Sequence, residues 1–279
     1  MDIIHDIVEK LLPFSWIEYD FMKNAFIAIL IITPLFGILG TLIVNNKMAF
    51  FSDALGHSAL TGVAIGVIFG VSNTNISMIV FAIIFALLLN RIKRKNTLST
   101  DTIISVFASF SMAIGLVILS KGGNFSQYSS LLVGDILSIT SQEILYLLIV
   151  FLVTIVFWVL CFNKLHAISI NESLATSKNI KTYLLDNLFV VIIAVIVMLS
   201  IKWIGILIIN ALLILPAASS KNIASNVREY HLFSIIISLF SGLLGLVLSY
   251  YINTATGPTI VIIASIIFFT TYLAKPIFK

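Results

Sequence analysis

Long apolar runs separated by short polar punctuation set the pattern of this chain. The first run, at about residues 21–44, contains Pro34, Gly37 and Gly40 and is ended by Asn45, Asn46 and Lys47. A second starts at Met48 and reaches about Val71, a third fills 76–89, and a fourth follows a Ser99-Thr100-Asp101 cap to about Leu119. Further runs lie at about 143–162, 183–201, 204–219, 232–251 and 259–274. A bilayer core takes about 20 apolar residues as a helix, so the pattern predicts an all-α, polytopic integral membrane helix bundle of about eight or nine transmembrane helices.

The polar segments refine this outline. Residues 1–20, with Pro13, Trp16 and Tyr19, read as an interfacial lead-in to a single transmembrane domain over 21–279. Residues 125–139 hold Gln127, Ser129, Ser130 and Asp135 among leucines, too short and polar to span; they read as a re-entrant or interfacial piece, with a surface loop as the alternative. Arg91-Ile-Lys93-Arg94-Lys95 is the densest basic run and the best cytoplasmic marker. The connection from Asn163 to Thr182, carrying Lys164, His166, Glu172, Lys178 and Lys181, is expected on the same side as a short helix along the membrane. Nine spans place the C-terminus inside and the N-terminus outside, whereas eight place both inside. The nine-span count also puts Lys47 inside and Asp53 near the cytoplasmic end of its helix.

Composition agrees with the pattern. The 279 residues are 60% hydrophobic and 10% charged, with a mean hydropathy of +1.15, far from a soluble domain. The net charge of +4 sits largely in the short connections, where the positive-inside rule accounts for it without nucleic acid. Cys161 is the one cysteine, which excludes an internal disulfide or a thiolate metal cluster. The acidic start, with Asp2, Asp6 and Glu9, does not resemble a signal peptide. No phosphate-binding loop is present, so the chain is expected not to be an enzyme; ATP hydrolysis, where used, belongs to another chain.

The chemistry concentrates in MAFFSDALGHSALTGVAIG, residues 48–66. Asp53 and His57 are four residues apart, so on a helix they share one face, one turn apart, with the spacing of a two-ligand metal clip. An ionised carboxylate in a membrane helix costs about 2.5–3.5 kcal/mol even on the insertion scale, so it needs a partner, a cavity or a cation. The alternative is structural: Asp53 as an N-cap or first-turn residue, and His57 as a neutral packed histidine. Ala54, Gly56, Ser58, Ala59, Gly62, Ala64 and Gly66 are small, which suits a helix at a bundle centre.

The run from Leu42 to Gly66 resembles the membrane subunits of the zinc/manganese/iron family of ABC importers, with their D-x-L-x-H-x-x-L-x-G element. The resemblance continues through LSTDTIISVFASFSMAIGLVIL, FSQYSSLLVGDIL, WIGILIINALLILPAASSKNIA and SGLLGLVLSYYINTATGPTIV, in the family's order and over most of the chain. It implies a permease in the cell membrane whose path is formed by two copies, driven by cytoplasmic ATP-binding subunits and supplied by an extracellular or periplasmic metal-binding protein. It also implies that Asp53 and His57 coordinate a transported divalent ion, zinc or manganese, with no tightly bound cofactor. Four ligands from two copies would suit zinc, which the Irving–Williams order favours over manganese.

The resemblance assigns the 163–182 connection to ATPase coupling, through Glu172 and Leu174. Here the chain departs from the family: SINESLATSKN replaces the usual acidic-x-Glu-x-Ala segment closing on glycine, and Asn179 stands where a left-handed helix end is expected. A stand-alone metal channel or gradient-driven transporter is the competing class, and uptake of an iron chelate or cobalamin is the sibling within the importer class. The basic run generates a topology test. A cysteine placed at Asn96 is expected to resist an impermeant thiol reagent added to intact cells; labelling from outside overturns the orientation.

Overall fold

The computed structural model describes residues 9, 14–71, 73–95, 99–121, 128 and 130–278. Most of the lead-in, the start of the 125–139 segment and Asn96 lie outside these. The helices are α1 (Asp20–Asn45), α2 (Phe51–Ile68), α3 (Thr74–Lys95), α4 (Thr100–Lys121), α5 (Ser141–Ile170), α6 (Glu172–Ser177), α7 (Thr182–Ile204), α8 (Ile206–Ile223), α9 (Val227–Ile252) and α10 (Thr256–Phe278). No strand occurs among the described residues. Eight of the helices, all except α6 and α8, are long and apolar enough to cross a membrane.

The apolar run at 204–219 does form a helix, α8, but its apolar stretch Ile208–Ile223 is shorter than the eight. Gly205 separates it from α7 with φ of 87°, a conformation that a side chain would disfavour. Two boundaries differ from expectation. The basic run is the last turn of α3 rather than a loop, since Lys and Arg are good helix formers and favourable at a helix C-terminus. Similarly, α5 continues about two turns past Phe162, because Leu165 and His166 are buried and nothing breaks the helix before Asn171. The described part of the 125–139 segment contains one helical turn, Ser130–Val133, and a 3-10 turn, Ile136–Ser138.

The chain divides into two compact units. The first comprises residues 1–41, 134–153 and 211–279. Within it α1 and α9 meet at backbone distance: a Cβ on Gly37 would lie 2.9 Å from Ile235 Cα, and Ser234 Oγ donates to Gly37 O at 2.7 Å. Pro34 lies inside α1, where Thr33 Oγ1 donates back to Ile29 O at 2.8 Å. Along α10, Ile262, Ile266, Phe269 and Leu273 remain exposed, apolar side chains suited to lipid.

The second unit comprises residues 42–133 and 154–210 and is arranged around α2, which packs on α3, α4 and α7. Small residues permit this. A Cβ on Gly62 would come within 2.8 Å of Met78 Cα in α3, and one on α4's Gly115 within 2.7 Å of Thr61 N. Thr61 Oγ1 also donates to Ser111 O, fixing the α2–α4 register. Gly62→Val is expected to lower stability by about 1–3 kcal/mol through overpacking against backbone. The check is the thermal midpoint of the detergent-solubilised protein; an unchanged midpoint would contradict this close approach.

Candidate metal site

Asp53 is the third residue of α2 and His57 lies one turn further on. Phe50 occupies the N-cap position with no side-chain cap bond, so Asp53 is a first-turn residue and not the N-cap. Its carboxylate is favoured there by the helix dipole, by about 0.3–1 kcal/mol at such positions. The neighbouring Ser52 hydroxyl turns elsewhere, donating to Asn210 Oδ1 at 2.6 Å.

His57 Nε2 and Asp53 Oδ2 lie 3.5 Å apart, longer than the 2.7–2.9 Å or so of a charge-assisted hydrogen bond. In a tetrahedral zinc site with bonds of about 2.0–2.2 Å, two ligand atoms are about 3.3–3.6 Å apart, so the separation of this pair matches that of two ligands on one cation. The side chains are 34% (Asp53) and 23% (His57) exposed on a helix otherwise largely buried. His57 Nδ1 is buried and lacks a hydrogen-bond partner among the described residues. Whichever ring nitrogen carries the proton, the imidazole is under-satisfied among the described residues. Among the described residues no cluster of three or more His, Cys, Asp or Glu surrounds the pair.

The other residues singled out in the sequence lie in the same unit. Asn171 caps α6, its side chain accepting from Leu174 N at 3.1 Å. Glu172 pairs with Arg94 Nη2 at 3.1 Å, and Leu174 is 59% exposed. Asn179 has φ of 58°, the left-handed end expected of it. The pattern reading missed Asp186, a buried carboxylate 3.2 Å from Arg94 Nη2. A lone acid in the apolar run YLLDNLFVV was the available signal.

A polar cavity of about 250 Å³ is lined by Asn45, Asn46 and Lys47 of the α1–α2 turn together with Lys93, Glu172 and Asp186. The turn leading into α2 therefore lies at the same end of the unit as the basic run and α6.

Comparison with known proteins extends the picture. The chain is 32% identical to the high-affinity zinc uptake system membrane protein ZnuB of Haemophilus influenzae, over 82% of this chain and 88% of that protein. It is 25% identical to the manganese transport system membrane protein MntC of Listeria monocytogenes, over 93% and 92%. The solved structure of PsaBC from Streptococcus pneumoniae in complex with Fab superposes with a TM-score of 0.80 at 24% identity, covering 98% of this chain and 95% of that one, a likeness of fold. The profile of the ABC 3 transport family matches residues 18–275, nearly the whole multi-pass bundle and both halves of the candidate site, and the chain belongs to that family.

Proposed function

We propose that this chain is the transmembrane permease subunit of an ATP-driven divalent metal importer, with Asp53 and His57 as ligands for the ion in transit. The observation that carries the reading is the 3.5 Å carboxylate–imidazole pair, half-open on one face of the small-residue helix α2. Membership of an ABC transport family supports an ATP source, and a relative named for zinc and another for manganese support the class of cargo. Imidazole with carboxylate favours zinc by intrinsic affinity; manganese remains within the same ligand chemistry. Two ligands are too few for a closed shell, so a second copy supplying the same pair completes four. Cytoplasmic ATP-binding subunits and an external metal-binding protein are the remaining partners, with α6 as the surface that meets the ATPase.

Asp53→Asn keeps the shape and removes the charge; it is expected to abolish zinc uptake while leaving the protein inserted. His57→Ala is expected to do the same. Normal uptake rates in a well-inserted Asp53→Asn protein would overturn the ligand assignment. Leu174→Asp places a charge on the exposed crest of α6 and is expected to uncouple transport from ATP hydrolysis without loss of membrane insertion. Copurification of an ATP-binding subunit and vanadate-sensitive uptake separate this reading from a gradient-driven carrier.

A further inference from the structure

Helix α6 has six residues, of which only Ala175 is buried, so apolar packing gives it little hold on the rest of the unit. Among the described residues its polar tie is Glu172, whose Oε1 lies 3.1 Å from Arg94 Nη2. The same guanidinium serves a second carboxylate on another segment. Arg94 Nη2 and Nε lie 3.2 and 3.4 Å from Asp186 Oδ2 in α7, and the guanidinium sits 5.3 Å from the Tyr183 ring centroid. One turn earlier in α3, Asn90 Nδ2 donates to Asn187 Oδ1 at 2.8 Å, so α3 and α7 are joined twice.

What Arg94 is attached to matters as much as what it holds. It ends α3, and α3 meets α2 at backbone distance through Gly62 and Met78. The polar cavity beside Glu172 and Asp186 is walled by Asn45, Asn46 and Lys47, the turn that leads into α2 and so to Asp53. A guanidinium is suited to this task, because its planar fork can hold two carboxylates at once where an ammonium is a single point charge. The Asp186 arm is sheltered and the Glu172 arm half-exposed, so neither is strong evidence for stability, but fixing register between elements is the best-attested use of sheltered pairs.

We propose that Arg94 is a positioning residue that transmits movement of α6 to the helix carrying Asp53 and His57, by holding Glu172 and Asp186 in one clamp. This rests on the reading of the chain as an ATP-coupled metal permease. A displacement of α6 is carried to α3 and α7 through Arg94, and from α3 to α2 through the Gly62 contact. Without the clamp, α6 can move with its partner while α2 stays where it is. ATP hydrolysis then continues with less transport.

The test uses the assembled transporter, permease with its ATP-binding subunits, in proteoliposomes, reading zinc ions transported per ATP hydrolysed. Coupling between sites commonly spans about 5- to 150-fold, so Arg94→Met is expected to lower this ratio at least about fivefold with the ATP-binding subunits still bound. Arg94→Lys, which keeps the charge and loses the fork, is expected to fall between. Glu172→Gln should lower the ratio, and the Arg94→Met/Glu172→Gln double variant should be no worse than Arg94→Met alone, because both remove one contact. A normal ratio in Arg94→Met, or losses that multiply in the double variant, overturns the clamp. Where Arg94→Met does not assemble, Glu172→Gln decides, and a normal ratio there overturns the clamp. Failure of the underlying reading is distinct: it shows as normal uptake in Asp53→Asn or in Leu174→Asp, whatever Arg94 does.

Discussion

The close approach of helices to α2 is the constraint on which the second unit depends. Backbone contact at Gly62 and Gly115 leaves no room for side chains between α2 and its neighbours on α3 and α4. Gly56 extends the same condition towards Ile206, whose Cγ2 would lie 2.7 Å from an added Cβ. In a membrane this packing has no hydrophobic drive behind it, since lipid tails are as apolar as leucine; van der Waals contact and interhelical hydrogen bonds such as Thr61 to Ser111 do the holding. Once those faces are filled, the stripe bearing Asp53 and His57 is the polar one left partly open. A site on that stripe inherits the rigidity of the packed faces behind it.

Polar groups within the helices follow the rule that backbone and side-chain demands are met locally. Thr33, Thr41 and Ser58 return their hydroxyls to carbonyls of the preceding turn, and Thr41 also meets His231 Nδ1 at 2.7 Å. Charges instead gather where helices end. Arg94, Glu172 and Asp186 meet at one end of the second unit, where the α1–α2 turn also lies. Among the described residues His57 Nδ1 is one of several buried side-chain atoms without a hydrogen-bond partner, with Ser200 Oγ, Trp203 Nε1 and Ser238 Oγ elsewhere in the bundle. Each such atom costs about 1–3 kcal/mol.

Much of this was legible in the residues. Hydropathy placed the long helices because a membrane span must satisfy its own backbone, which leaves a helix as the only local solution for each apolar run. The Asp53/His57 pair was legible because i, i+4 spacing determines a shared face regardless of tertiary detail. Helix ends were less legible where local sequence permits continuation: Lys164 to Ile170 carries polar residues, yet buried Leu165 and His166 keep it helical. The Arg94 clamp was invisible for a different reason. Its members are 78 and 92 positions apart from Arg94 in the chain, and pairing over that distance depends on packing that no periodicity encodes. Ser52 and Asn210, 158 positions apart, are the same case.

The placement of the proposed ligands also bears on how an ion would leave. A cation bound at Asp53 lies in the first turn of α2, against the positive end of the helix dipole. The interaction that favours the free carboxylate there therefore opposes the bound cation, by roughly the same 0.3–1 kcal/mol. Ligand softness pulls the other way, because imidazole strengthens zinc binding by comparison with an all-oxygen site. A transporter gains nothing from the tightest possible site, since each ion must be released before the next is taken. If the shell were split between two copies, as proposed, separating the two α2 helices would halve the ligand number without breaking either Asp–His pair. A proposed site left incomplete in one chain would in that way be reversible when assembled.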